Sequence, residues 1–176
     1  MYIEDSKYIV LDNLSIDQRF KASTEIWGIF INNSQCIEID SVYIYMDDYS
    51  INKATHYGIY LLDSTNITII NSSWNCSIYP SGSGTGWPPH VLTSRIYQIY
   101  LNNASMVKIS NDEFRIKLKE KLISLTLYYL HVYGIYIYRT RNVILEKNMY
   151  LSNMSLVEEI HASGITSGTI TYHRWN

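Results

Sequence analysis

The chain is poor in the residues that punctuate or staple most small folds: 8 Gly, 3 Pro and 2 Cys in 176 residues. Two cysteines exclude a disulfide framework. Cys36 and Cys76 fall at different positions of the repeat described below, so a bridge would need fortuitous geometry and a pair of buried free thiols is expected. Charge is scarce, at 17% of residues, and nearly balanced at a net −2. That removes any general electrostatic steering towards nucleic acid, although the run from Arg115 to Lys121 is locally basic. No stretch of 18 apolar residues is present, so no membrane span is expected. Glu4, Asp5 and Lys7 stand where an export signal would carry a basic start and an apolar run, so no signal peptide is read in the chain as given. CxxC, HExxH and a glycine-rich phosphate loop ending in Lys-Ser/Thr are missing too, and no cofactor or metal is expected.

What the chain does have is 17 Tyr, 14 Asn and 26 Ile, within an apolar fraction of 47%. β-Branched and aromatic residues suit pleated, half-buried surfaces, so the expectation is an all-β protein. Its length fits one domain, 1–176, with a substantial core. Asn-x-Ser/Thr sequons begin at Asn13, Asn32, Asn66, Asn71, Asn75, Asn103 and Asn153, against about 2.5 expected by chance from the composition. The excess implies either glycosylation outside the cell or turns of a repeat that reuse Asn and Ser.

A repeat is visible. Trp27 opens WGIFINNSQCIEIDSVYIYM, Tyr57 opens YGIYLLDSTNITIINSSW, Tyr97 opens YQIYLNNASMVKISNDEF and Tyr133 opens YGIYIYRTRNVILEKNMY, with starts 30, 40 and 36 residues apart. In each unit the third and fifth positions are apolar: Ile29 and Ile31, Ile59 and Leu61, Ile99 and Leu101, Ile135 and Ile137. A polar turn follows, then a second period-two strand (Ile37 and Ile39, Ile67 and Ile69, Val107 and Ile109, Val143 and Leu145). A third apolar patch lies around Val42 to Met46, Trp74, Phe114 and Met149 to Leu151. Strands this short cannot bury a face alone, so the units must stack, each strand on its counterpart. The predicted fold is a right-handed parallel β-helix of about four complete coils, with partial coils at both ends. Gly28, Gly58 and Gly134 at position two suit a bend crowded by the neighbouring coil, and Gln98 breaks that pattern.

The uneven spacing places insertions at about 79–92 and 115–131. The first, around SGSGTGWPPH, reads as a loop; the second, FRIKLKEKLISLTLYYL, reads as a projecting hairpin turning near Glu120 and Lys121, with a short helix as the alternative. Tyr8 to Ile16 matches a second strand and the turn after it, and SGIT from Ser163 matches the start of another coil. The ends therefore need covering, by the residues from Thr166 to Asn176, by the second insertion or by a partner.

The segments YGIYLLDSTNITIINSSW and YGIYIYRTRNVILEKNMY resemble the repeats of pectate-lyase-like parallel β-helix proteins, including NosD-type proteins and the wider carbohydrate-binding and sugar-hydrolase β-helix group, over Tyr8 to Ser152. That resemblance implies a carbohydrate context at an extracellular, cell or virion surface, and it specifies no site. From the residues, Phe30, Tyr60, Tyr100 and Tyr136 share one outward position and form an aromatic ladder, which serves either as a glycan platform or as structural and subunit packing. Hydrolysis would need two of Asp40, Asp47, Asp48, Asp63, Asp112, Glu113 and Glu146 to flank one bond; Asp47-Asp48 and Asp112-Glu113 are expected in solvated turns. His56 and His131 precede the repeated Tyr, a placement that suits either a bracketed metal or, as the stronger reading, structural or surface roles, and His90, His161 and His173 have no ligand spacing. The expected function is a non-enzymatic surface or virion protein that binds glycans or partner subunits, as a homo-oligomer or within a larger assembly; a polysaccharide lyase or glycoside hydrolase is the alternative.

Overall fold

The computed structural model describes residues 1–20, 25–48, 54–78, 92–118, 128–152, 157–163 and 168–175. Among them every regular element is a strand. Three strands recur in order. The first unit has β1 (Tyr2–Glu4), β2 (Lys7–Asp12) and β3 (Ser15–Phe20), and the second has β4 (Glu25–Asn32), β5 (Gln35–Asp40) and β6 (Tyr43–Asp48). The third has β7 (Ala54–Leu62), β8 (Thr65–Ile70) and β9 (Ser73–Ile78), and the fourth β10 (Leu92–Asn102), β11 (Ser105–Ser110) and β12 (Glu113–Leu118). β13 (Tyr128–Tyr138) is then followed by β14 (Arg141–Ser152), a single strand spanning the second and third positions, and the last unit has β15 (Val157–Ser163) and β16 (Gly168–Trp175).

All pairings are parallel, and each joins a strand to its counterpart one unit on. First strands make a sheet in the order β1-β4-β7-β10-β13-β15; second and third strands make a ten-stranded sheet joined through β14. The two sheets curl around one core. Register stacks like on like: Ile29, Ile59, Ile99 and Ile135 form one column, and Ile37, Ile67, Val107 and Val143 another. All eight are essentially buried, each contributing about 1.5–3 kcal/mol relative to an exposed side chain. In the third strands Trp74 stacks on Phe114 at 4.8 Å and Phe114 on Tyr150 at 4.9 Å, with rings nearly parallel. The inward residue of the third patch in β14 is thus Tyr150, since register pairs it with Phe114 and leaves Met149 opposite Glu113.

The asparagine bias is a backbone requirement. Three columns hold positive φ: Asp5, Asn33, Asp63, Asn103 and Arg139 in the turn after each first strand; Tyr8, Cys36, Asn66, Met106 and Asn142 at the second residue of each second strand; and Asn13, Ser41, Asn71, Asn111 and Lys147 after it. Asn and Asp enter this left-handed region at the least cost after Gly. Amides also bridge units: Asn33 Nδ2 donates to Asp5 Oδ1 at 2.5 Å and Asn103 Nδ2 to Asp63 Oδ1 at 2.6 Å. Backbone pairing runs on through the turns, as in Asn33 N to Leu62 O at 3.0 Å and Asn103 N to Tyr138 O at 3.0 Å.

Two expectations about the C-terminal part need correction. Ser163 aligns with Tyr138 at the end of a first strand, so it closes that strand and does not open one, and residues 164–166 of SGIT lie outside the described residues. Gly168–Trp175 does not fold across an end as a cap: it pairs with β14 from Val143 to Tyr150, because its alternating Ile170 and Tyr172 carry the same period-two signal as the strands before it. Of the second insertion, residues 115–118 belong to β12 and 128–131 to β13; residues 119–127, with the predicted hairpin tip, lie outside the described residues, as do 79–91. One strand, β1, was not expected: it pairs with β4 and sets Tyr2 beside Phe30.

The bend at position two is as crowded as the glycines imply. A Cβ on Gly58 would sit 2.5 Å from Gln98 O and 2.9 Å from Trp74 Cδ1, and one on Gly28 2.6 Å from Gly58 O. Gln98 turns its buried side chain inward, where Nε2 donates to Trp74 O at 3.3 Å and Arg115 O at 3.0 Å. Gly58→Ala is expected to lower stability by about 1–3 kcal/mol, because the nearest atom is backbone and cannot swing away; urea unfolding measures it, and an unchanged midpoint would show the bend to be looser than drawn.

Candidate functional site

The first-strand sheet carries on its outer face two aromatic columns side by side. Phe30, Tyr60, Tyr100 and Tyr136 stand in register as the repeat predicts, extended by Tyr2. Trp27, Tyr57, Tyr97 and Tyr133 form a second column that sequence reasoning treated only as the start of each unit. The kink at position two explains it, since two successive residues, such as Gly58 and Ile59, turn inward and the alternation shifts by one. Within the second column Tyr57 and Tyr97 stack 5.1 Å apart at 11° and Tyr97 and Tyr133 5.0 Å apart at 7°; between columns Tyr97 meets Tyr100 edge to face at 5.0 Å and Tyr136 at 5.1 Å. Each such pair adds about 0.5–1.5 kcal/mol beyond burial.

This geometry decides what the wall can do. Ring faces are spent on neighbouring rings, and Tyr57 and Tyr97 are only 8% exposed though they lie on the outside of the sheet. A sugar ring needs a free aromatic face, and the interior of the wall offers edges and hydroxyls instead. Burial, with the neighbouring Tyr60 and Tyr136, pushes the Tyr100 phenol up to about 12; burial raises Tyr57 and Tyr97 as well. Tyr57, Tyr97 and Tyr100 therefore stay protonated in the tyrosine-covered wall, with Glu25 and Arg95 in the row beside it.

The carboxylates do not converge. Asp40 accepts from Ser41 Oγ at 2.9 Å and Asn71 Nδ2 at 3.0 Å, Asp63 is taken by Asn103, and Glu146 pairs with Lys108 at 2.8 Å. Asp47 and Asp48 lie in β6 and not in a turn, since the third strand runs two residues further than the apolar pattern suggests. Asp112 is no solvated turn residue either. It is 1% exposed, in a corner column with Val42, Ser72 and Asn148, where Asp112 Oδ1 accepts from Ser72 N at 2.7 Å and Asp112 N donates to Asn148 Oδ1 at 3.1 Å. Oδ2 has no partner. Loss of hydration drives its pKa up to about 8 despite the backbone donors.

A second outward feature escaped the repeat analysis. Register places Tyr43, Ser73 and Glu113 in one row across β6, β9 and β12, and Tyr45, Asn75 and Arg115 in the next. Large residues on β6 and β12 flank small ones on β9, leaving a trough of about 460 Å³ closed at one end by Asn71, Ser72 and Asn111. Glu113 and Arg115 are ion-paired along its rim. The signal was available: Val42, Ile44 and Met46 point inward, so Tyr43 and Tyr45 between them must point out.

The remaining candidates stand apart. His56 is fully buried in the interior column of Ile26 and Ile96, whereas His131 is exposed beside Tyr133 and pairs in register with Arg95, so the two do not bracket one point. His90 lies outside the described residues. Cys76 is buried and Cys36 half-buried, neither in a disulfide, with Cys36 Sγ accepting from Asn66 Nδ2 at 3.4 Å. Among the described residues no group of three His, Cys, Asp or Glu could hold a metal, and no helix is long and apolar enough to cross a membrane. Of the sequons, Asn13, Asn71 and Asn103 occupy positive-φ turns and Asn66 a positive-φ position at the start of β8, Asn32 donates to Glu4 Oε1 at 2.8 Å, Asn75 floors the trough and Asn153 lies outside the described residues. No family model matches the chain, and neither a curated protein nor a solved structure matches it.

Asp112 yields a pH prediction. With the folded pKa near 8 against an ordinary 3.8, unfolding releases this proton across that window, so its contribution to stability is full below about pH 4 and lost as pH rises through 8. Asp112→Asn keeps the acceptor for Ser72 N and removes the titration. It is expected to be more stable than the parent by about 1–3 kcal/mol at pH 8.5, with the two curves meeting at pH 4; parallel curves would contradict the assignment.

Proposed function

We propose that the chain is a right-handed parallel β-helix of the pectate-lyase-like group that acts without chemistry of its own, as a structural or adhesin-like component of an extracellular, cell or virion surface. Parallel pairing of each strand with its counterpart one unit on supports the β-helix, and the repeat segments support the group. The carrying observation for function is the aromatic wall: its rings pack face to face and edge to face on one another along the outside of the sheet. Such a surface is suited to packing against a partner subunit, a second copy of the chain first of all, since tyrosine gives large contact area at low entropic cost. Cleavage of a polysaccharide would need two carboxylates about 5–9.5 Å apart across one bond, whereas Asp40, Asp63, Glu113 and Glu146 are each held by a partner of their own.

In light scattering the purified chain is expected to run as an oligomer, and the paired variant Tyr60→Ser with Tyr100→Ser to dissociate while keeping its β-sheet circular dichroism. A monomeric parent would sink the subunit reading. The external location is tested separately, by mass spectrometry of native material: glycan is expected on Asn32 and Asn103, which lie in and beside the turn after a first strand. Because turn geometry alone accounts for Asn at several sequons, unmodified Asn at both positions would leave the surface assignment without support.

A further inference from the structure

We infer that the chain's saccharide site is the trough over β9, and that its ligand is a neutral pyranoside held against Tyr43 and Tyr45. The inference rests on the adhesin-like side of the functional reading above, names its ligand, and uses a face of the molecule away from the wall. Tyr43 and Tyr45 are 43% and 47% exposed, and among the described residues neither ring packs on another aromatic, in contrast to every interior tyrosine of the wall. Their neighbours across β9 are Ser73 and Asn75, too short to cover them. The opposite rim, Glu113 and Arg115, stands two strands away, about 10 Å at the usual strand spacing, which leaves room for one sugar ring lying against the tyrosines.

The chemistry of the lining selects the ligand. Aromatic faces bind the apolar face of a pyranose, while amides, hydroxyls and a fork of carboxylate and guanidinium bond its equatorial hydroxyls. Asn71, Ser73, Asn75 and Asn111 supply amides and a hydroxyl, and Glu113 and Arg115 supply both an acceptor and donors. Their charges cancel, so nothing in the trough calls for a uronate, a phosphate or a cationic sugar. Asn75 Oδ1, buried beneath the floor, has no hydrogen-bond partner. With one carboxylate, already paired with Arg115, the trough is built to hold a glycan and not to cut it.

The test uses the full 176-residue chain made in a host that does not glycosylate, titrated by NMR or calorimetry with maltohexaose, mannohexaose and xylohexaose as neutral probes and hexagalacturonate as the acidic one. At least one neutral hexasaccharide is expected to bind with a Kd below about 1 mM, and Tyr43→Ser and Tyr45→Ser each to weaken it about ten-fold, equivalent to about 1.4 kcal/mol. Both positions are exposed, so unchanged circular dichroism is expected in the variants. Tyr60→Ser in the wall is expected to leave affinity intact even where it alters oligomeric state, which separates this site from the subunit reading. The inference is overturned by absence of binding to all three neutral probes, by binding that survives the double tyrosine variant, by preference for the galacturonate, or by a glycan found on Asn75 in native material, since that chain would fill the trough itself.

Discussion

Everything in this molecule depends on keeping register between units. A six-residue strand such as β5 or β8 buries three side chains at most and has no stability of its own; its worth comes from pairing along its full length with the strand one unit on. A slip of one residue would send Ile67 and Ile69 to solvent and Thr68 into the core. The turns hold the register. Each unit places positive-φ residues at three fixed positions, amides such as those of Asn33 and Asn103 reach back to the preceding unit, and backbone bonds carry the hydrogen-bond ladder on where the strands end.

The same stacking makes composition extreme. A residue good at one position is good at that position in every unit, because its neighbours above and below are its own kind: Ile on Ile within, Tyr on Tyr on the wall, Asn or Asp at the bends. Exceptions are costly and must be accommodated individually. Gln98 stands in a glycine column and spends its amide on two backbone carbonyls, and Asp112 stands where Val42 and Ser72 stand in earlier units and is held neutral to stay there.

Much of this was legible in the sequence, for a physical reason: a periodic fold writes its period into the chain. The inward columns, the ladder of Phe30, Tyr60, Tyr100 and Tyr136, and the crowding at Gly28 and Gly58 could all be read from alignment of the units. What escaped depends on local backbone shape or on small departures from the pattern. The second aromatic column was hidden by the kink at position two, which shifts the alternation by one. β1 and β16 were missed because a strand at the end of a stack has one neighbour to be aligned against. Asp112 read as a solvated turn residue because one polar letter between strands looks the same whether its side chain points out to water or into a corner.

The trough was missed for the opposite reason to the wall's being seen. The wall is a column of identical residues, and identical residues satisfy one another, so the more regular a column is the less it has left for a ligand. Tyr43, Ser73 and Glu113, or Tyr45, Asn75 and Arg115, follow no common chemistry, and for that reason they leave a hollow, two part-exposed tyrosines and a buried amide oxygen without a partner. In a fold whose stability comes from like stacking on like, recognition belongs at the places where successive units disagree, and among the outward rows described here those across β6, β9 and β12 combine that disagreement with space for a ligand.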